Sequence, residues 1–92
     1  MIKHLTIIVS GKVQGVFFRA STKEQADKYN VKGFVRNEPD GSVYIEAEGE
    51  EPQLKDFIEW CQHGPRQALV SHCQVIEGDV KGFDKFTINN RW

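Results

Sequence analysis

The hydrophobic positions along this chain change period several times, and these changes outline its elements. In residues 5–9 the apolar side chains of Leu5, Ile7 and Val9 stand two apart and most residues are β-branched, which predicts a largely buried strand. Glycines interrupt the pattern in residues 11–16. Side chains that suit one helix face then recur at Phe18, Thr22, Ala26 and Tyr29. The first third of the chain therefore predicts a strand, a loop and a helix.

A β-hairpin is predicted next. Residues 34–37 read as a short strand, and Pro39 and Gly41 follow it, since proline presets a turn and glycine tolerates positive φ. Residues 42–48 then alternate between two faces. The apolar set is Val43, Ile45 and Ala47, and the other set is Tyr44, Glu46 and Glu48. Such alternation predicts a strand with one face on the core and the other in solvent.

The second half of the chain predicts one helix and two strands. Pro52 stands at a suitable first helical position, behind acidic residues that favour a helix N-terminus. The apolar face of this helix comprises Leu54, Phe57, Ile58 and Cys61. Gly64 and Pro65 end it. Residues 68–76 are predicted as a strand, and residues 86–88 as a short final one.

The βαββαβ order is that of the ferredoxin-like fold, an α+β two-layer sandwich in which two helices cover one face of an antiparallel sheet. The short additional C-terminal strand is expected at one edge. In this topology the first two strands run in the same direction with the third between them, so their C-terminal ends lie on one rim, about 10 Å apart. Arg19 comes after the loop that follows the first strand, and Asn37 is the last residue of the second. The two residues are therefore expected to be neighbours.

Composition narrows the possible partners. A chain of 92 residues without an internal linker predicts a single domain over residues 1–92. Twelve Lys and Arg against thirteen Asp and Glu give a net charge of -1, so no summed positive field is available for nucleic acid or an anionic membrane. Any anion must therefore be bound locally.

The cellular setting is predicted from two further features. The first nine residues lack the apolar core and cleavage site of a signal peptide, and no later segment could span a bilayer, so the cytoplasm is expected. Cys61 and Cys73 are expected to be free thiols, because nothing in the sequence indicates secretion.

The loop before the first helix has the features of an anion site. A helix N-terminus presents unpaired N–H groups and the positive end of its dipole, and Arg19 adds a charged fork that can make paired hydrogen bonds to phosphate oxygens. Taken alone, this pattern is more often a structural turn with a solvated arginine. Asn37 likewise has a structural alternative, as a polar residue that caps the following turn.

Two longer strings carry a family resemblance. Residues 11–19 read Gly-Lys-Val-Gln-Gly-Val-Phe-Phe-Arg and closely resemble the acylphosphatase signature G-x-V-Q-G-V-x-F-R. Residues 33–49 match the second signature of that family, G-[FYW]-[AVC]-[KRQ]-N-x3-G-x-V-x5-G, with Asn37 at its fixed asparagine. The similarity extends over nearly the whole chain, including Gly64 and Pro65.

The resemblance implies hydrolysis of the carboxyl-phosphate bond of small acyl phosphates. It implies that Arg19 and loop amides hold the phosphate, and that Asn37 orients the attacking water. The loop residues are Gln14, Gly15, Val16, Phe17 and Phe18. No cofactor is expected, and no metal, since the chain has neither a P-loop lysine followed by Ser or Thr nor an Asp cluster with metal-binding spacing. A monomer is expected, with inorganic phosphate or similar anions also fitting the loop.

Alternative functions stay open at this point. A phosphate-binding module without turnover would keep the same loop. An RNA-recognition-motif-like binder shares the βαββαβ order, but residues 5–9 offer no stacking aromatic residue. A zinc set of Cys61, His63, His72 and Cys73 fits no standard spacing. His4 has no evident charged partner and is given no catalytic role.

Overall fold

The structure is a computed structural model, and it describes residues 1–89. The elements follow in the order β1 (Ile2–Lys12), α1 (Phe18–Lys28), β2 (Lys32–Asn37), β3 (Val43–Glu50), α2 (Glu51–Cys61), β4 (Leu69–Gly78) and β5 (Phe86–Asn89). This order confirms the predicted one. The strand β1 is longer than predicted at both ends. Its outer residues pair with β3 and β4 through main-chain hydrogen bonds, and the alternation of hydrophobic side chains does not reveal such pairing.

The strands form one sheet in the order β4-β1-β3-β2-β5. The strand β1 pairs antiparallel with β3 and β4, and β2 pairs antiparallel with β3. The four strands of the βαββαβ unit are antiparallel neighbours as predicted, and β5 lies at an edge as predicted. This added strand runs parallel to β2, so the five-stranded sheet is mixed. The reason is the connection: residues 79–85 carry the chain from the β4 edge across to the β2 edge, where it enters β5 in the direction of β2.

The hydrophobic core lies between the sheet and the two helices. Its largest fully buried apolar side chains come from every layer, namely Phe18, Phe57, Ile7, Ile45, Val9, Val13, Val31, Val35 and Val43. Phe57 of α2 meets Phe86 of β5 edge to face, with ring centroids 6.1 Å apart, so the added strand is anchored in the same core. Cys61 and Cys73 are free thiols as predicted, and burial raises the pKa of both.

The alternation in β3 predicted that the opposite face of the sheet is in solvent. In the structure, part of that face is buried. Glu46 and Glu48 are only 6% and 3% exposed, because residues 79–85 cross over them. Glu48 Oε2 accepts a hydrogen bond from the Lys81 main-chain N–H at 2.6 Å, and Oε1 accepts two more from Gly82 and Phe83 at 3.0 and 3.1 Å. The glutamate therefore satisfies three main-chain donors of the crossing segment.

His4 lies in the same buried layer. Its Nδ1 is 2.6 Å from Glu48 Oε2 and its Nε2 is 3.3 Å from Glu46 Oε1, while its ring stacks on Phe83. The expectation that His4 has no charged partner was therefore wrong. The β1–β3 register places His4 opposite Glu48, a pairing that the sequence around His4 does not indicate.

The titration of Glu48 yields a stability prediction. Burial by itself would raise the pKa of Glu48, but hydrogen bonds from the Lys81 main chain and from His4 hold the pKa below its ordinary value of 4.5. A carboxyl with a lowered folded pKa stabilises the protein above the ordinary value, and this contribution is lost as the pH falls. We predict that Glu48→Gln lowers the free energy of unfolding at neutral pH by about 1–3 kcal/mol. The difference from the parent protein should shrink below about pH 4.5.

Urea unfolding across this pH range measures both effects. The matched control is Glu59→Gln, an exposed position on α2, which should change the free energy of unfolding by less than about 0.5 kcal/mol. A difference between Glu48→Gln and the parent that does not change with pH would contradict the assigned role of this carboxylate.

Candidate functional site

The loop between β1 and α1, residues 13–17, is anchored by buried apolar side chains within it and directly after it. Val13 and Val16 are 0% and 7% exposed, and Phe18, the first residue of α1, is 2% exposed. Gly15 and Phe17 face outward, and both adopt left-handed backbone conformations, with φ of 74° and 62°. A Cβ at Gly15 would meet no atom within 4 Å, so only the backbone conformation favours glycine there.

The N-terminus of α1 has no side-chain cap of its own. Phe17 is the cap residue and makes no side-chain hydrogen bond to the first turn, and that turn contains no acidic residue. The main-chain N–H groups of the first turn have no intrahelical acceptors, and the positive end of the helix dipole adds to their field. The loop and this first turn thus present donors suited to an anion such as phosphate.

Gln14 links the loop to the turn between β2 and β3. Its Nε2 donates hydrogen bonds to the main-chain oxygens of Glu38 at 2.8 Å and Ser42 at 2.9 Å. We expected Gln14 to take part through its main-chain amide, and sequence reasoning missed this second role of its side chain. The glutamine at a fixed position of the family string was the available signal, since its carboxamide can donate two hydrogen bonds at once.

Asn37 is the last residue of β2 and lies next to Glu38. It has the same strand parity as the buried Val35, so the pleat directs its side chain to the helix side of the sheet. The following turn is capped by Asp40 instead, whose Oδ1 accepts hydrogen bonds from Ser42 N and Oγ at 2.9 and 2.6 Å. Among residues 1–89 the Asn37 carboxamide forms no hydrogen bond, which removes the turn-capping alternative.

Arg19 is the second residue of α1 and is half-buried. Its Nη1 donates a hydrogen bond to the main-chain oxygen of Asn89 at 3.2 Å. Asn89 pairs with Arg36 in the β2–β5 register, and Arg36 directly precedes Asn37. The structure therefore brings Arg19 and Asn37 to one rim of the sheet, as predicted from the topology.

A second arginine on this rim has other contacts. Arg36 lies over the ring of Tyr44, at 4.4 Å from the centroid, and its Nε donates to Glu38 Oε2 at 3.0 Å. By strand parity Arg36 belongs to the face of the sheet opposite the helices. Its charge is thus engaged by an aromatic ring and a carboxylate, whereas Arg19 lies on the helix side beside the loop.

Neither a metal centre nor a membrane span is found in the described part of the chain. Within residues 1–89 no group of three or more His, Cys, Asp or Glu side chains is placed to hold a metal ion. Cys61 of the imagined zinc set is buried in the core, as the apolar face of α2 had predicted. None of the helices in this range combines the length and the apolar character that crossing a bilayer requires.

Comparison with known proteins agrees with the geometry. The family model for acylphosphatase matches residues 5–88. An acylphosphatase from Syntrophus aciditrophicus is 46% identical over 89 residues, which cover 96% of this chain and 93% of the relative. An acylphosphatase structure from Bacillus subtilis has a TM-score of 0.92 at 39% identity, with 97% of this chain and 99% of that chain covered. One from Coxiella burnetii also has a TM-score of 0.92, at 36% identity, with 96% and 93% covered. By its sequence and by its fold, this chain belongs to the acylphosphatase family.

Proposed function

We propose that this enzyme binds the phosphate of a small acyl phosphate in the loop of residues 13–17 and the first turn of α1, with Arg19 on its oxygens and Asn37 on the attacking water. The observation that carries the proposal is the convergence of three elements on the helix side of one rim. The loop is tied by Gln14 to the turn next to Asn37, and Arg19 reaches the strand beside it.

The phosphate would be held mainly by main-chain donors. The N–H groups of the loop and first turn are preorganised, so they stabilise charge on the phosphoryl oxygens without reorganisation during the reaction. The donors belong to Gln14, Gly15, Val16, Phe17 and Phe18. Arg19 adds a permanent positive charge and a fork that matches two oxygens. Phosphoryl transfer depends chiefly on positioning and charge stabilisation, and these groups supply both.

Asn37 would position water for in-line attack. The carboxamide oxygen accepts a hydrogen bond from the water molecule. This hydrogen bond directs a lone pair of the water oxygen toward phosphorus, and the carboxamide removes no proton. The bond from water oxygen to phosphorus forms while the bond from phosphorus to the carboxylate oxygen breaks. The leaving carboxylate carries its electron pair away as a stable anion, and the water proton passes to the phosphate product or to solvent. The chemistry therefore requires no dedicated acid or base and no metal ion.

The remaining parts of the proposal concern the setting. We propose a single domain that acts as a monomer in the cytoplasm, on small acyl phosphates, with inorganic phosphate as a competing anion. The net charge of -1 favours a small anion over a polyanionic partner as the ligand. The two free thiols favour a reducing compartment such as the cytoplasm. A phosphate-binding module without turnover is the second candidate. Such a module would have no use for the Asn37 carboxamide, which forms no hydrogen bond within residues 1–89. Hydrolysis that persists with a chelator present would support the metal-independent mechanism.

Removal of the Arg19 side chain should impair binding and turnover together. We predict that Arg19→Ala lowers kcat/KM for benzoyl phosphate by about 100- to 1000-fold, because a charged donor to the transition state is lost. Inhibition by inorganic phosphate should weaken in parallel. The matched control is Arg66→Ala, an exposed arginine in the connection after α2, which should retain parent kinetics. Phosphate inhibition of parent strength in Arg19→Ala would contradict the role.

Removal of the Asn37 carboxamide tests the water-positioning step alone. We predict that Asn37→Ala lowers kcat by about 100-fold, while the inhibition constant of inorganic phosphate stays close to that of the parent, because no phosphate contact is lost. Steady-state kinetics with phosphate as competitor measure both quantities. Turnover at the parent rate would remove Asn37 from the mechanism, because the enzyme would then orient the attacking water without it.

Gln14→Glu tests the link between the loop and the β2–β3 turn. A carboxylate cannot donate to the oxygens of Glu38 and Ser42, so both hydrogen bonds are lost while the side-chain volume is kept. We predict a loss of about 1–3 kcal/mol in the free energy of unfolding, with lower kcat/KM because the loop is no longer held against Asn37. Urea unfolding and the benzoyl phosphate assay measure the two effects. Parent stability in this variant would show that the two contacts contribute little.

A further inference from the structure

We propose that the Phe17 side chain forms an apolar wall for the acyl group, so that the enzyme prefers acyl phosphates with aromatic or extended acyl groups over acetyl phosphate. The inference rests on the proposed function, because it takes the phosphate position from it. It adds a specificity determinant to a site in which the proposed phosphate contacts come only from main-chain atoms and from Arg19.

The exposure of Phe17 sets it apart from its neighbours. Its side chain is 78% exposed, whereas Val16 and Phe18 on either side are 7% and 2% exposed. Burial of a phenylalanine side chain is worth about 1.5–3 kcal/mol, and this ring obtains little of that stabilisation. The packing of the folded chain therefore does not account for a large aromatic side chain at this position.

The backbone at Phe17 is also unfavourable for a residue with a side chain. Its φ of 62° and ψ of 25° are left-handed, a conformation that costs about 1–2 kcal/mol for residues other than glycine. Glycine would relieve this strain, as Gly15 does two residues earlier with a φ of 74°. Strained residues at loops that bind ligands are retained when the surroundings or the function require them. At Phe17 both the backbone and the exposure disfavour the side chain present.

The position of Phe17 relates the ring to the leaving group. Phe17 is the cap residue of α1 and directly precedes the first-turn donors of the proposed phosphate site. In-line attack requires the acyl oxygen to leave on the side of the phosphorus away from the water, and the water is assigned to Asn37 on the sheet. The acyl group therefore extends away from Asn37, and the proposal places it against the exposed ring of Phe17 at the start of α1. An aromatic ring offers a flat apolar surface that stacks on an aryl group and contacts a methyl group much less.

The test compares two substrates across three substitutions. In Phe17→Ala and Phe17→Gly, the ratio of kcat/KM for benzoyl phosphate to that for acetyl phosphate should fall by about 3- to 10-fold, the range expected for one aromatic contact. Phe17→Trp should retain the parent ratio because it keeps a ring. Phe17→Gly should also raise the Tm, since glycine removes the strain, and this shows that a changed ratio does not come from a damaged fold.

A remote substitution and an anion control complete the experiment. Val80→Ala removes an exposed apolar side chain, 52% exposed, from the segment that crosses the other face of the sheet, and the ratio should be unchanged. Inhibition by inorganic phosphate should persist in the Phe17 variants, because each keeps the main-chain amide. A loss of activity by the same factor for both substrates, or a parent ratio in Phe17→Gly, would overturn the inference. A parent protein that hydrolyses neither substrate would instead overturn the proposed function.

Discussion

The burial of Val13, Val16 and Phe18 is the constraint on which the candidate site depends. These side chains hold the ends and the middle of a short loop against the core, so that the intervening main chain turns outward in left-handed conformations. Main-chain donors bind an anion well only when their directions are set in advance, because flexible amides would first have to be ordered. The hydrophobic core thus provides the rigidity that the polar site requires.

Two polar links extend this rigidity to the rest of the rim. Gln14 joins the loop to the turn next to Asn37, and Arg19 joins α1 to the end of β5. Both links end on main-chain oxygens, whose positions are set by the β2–β3 turn and by β5 and not by side-chain rotamers. An arginine, a carboxamide and a set of amides are in this way held at one rim by three different elements.

The opposite face of the sheet contributes to the same architecture through β5. The chain must cross that face to reach the β2 edge, and the crossing buries Glu46, Glu48 and His4. Buried carboxylates are costly unless their oxygens are satisfied, and Glu48 accepts hydrogen bonds from three main-chain N–H groups of the crossing segment. The crossing leads into β5, which packs through Phe86 against α2 and offers the Asn89 oxygen to Arg19.

The sequence by itself determined the order of the elements, the inward faces of β1, β3 and the two helices, and the two strings that contain Arg19 and Asn37. These are local properties, because the hydrophobic period and the turn residues are set by neighbours a few positions away. Only the tertiary structure decided the parallel direction of β5, the burial of Glu46 and Glu48, the partners of His4 and the contacts of the Gln14 side chain. Each of these depends on strand register or on a crossing connection, which joins residues 24 to 53 positions apart. No local pattern around His4 or Gln14 reports which distant oxygen the register will bring beside it.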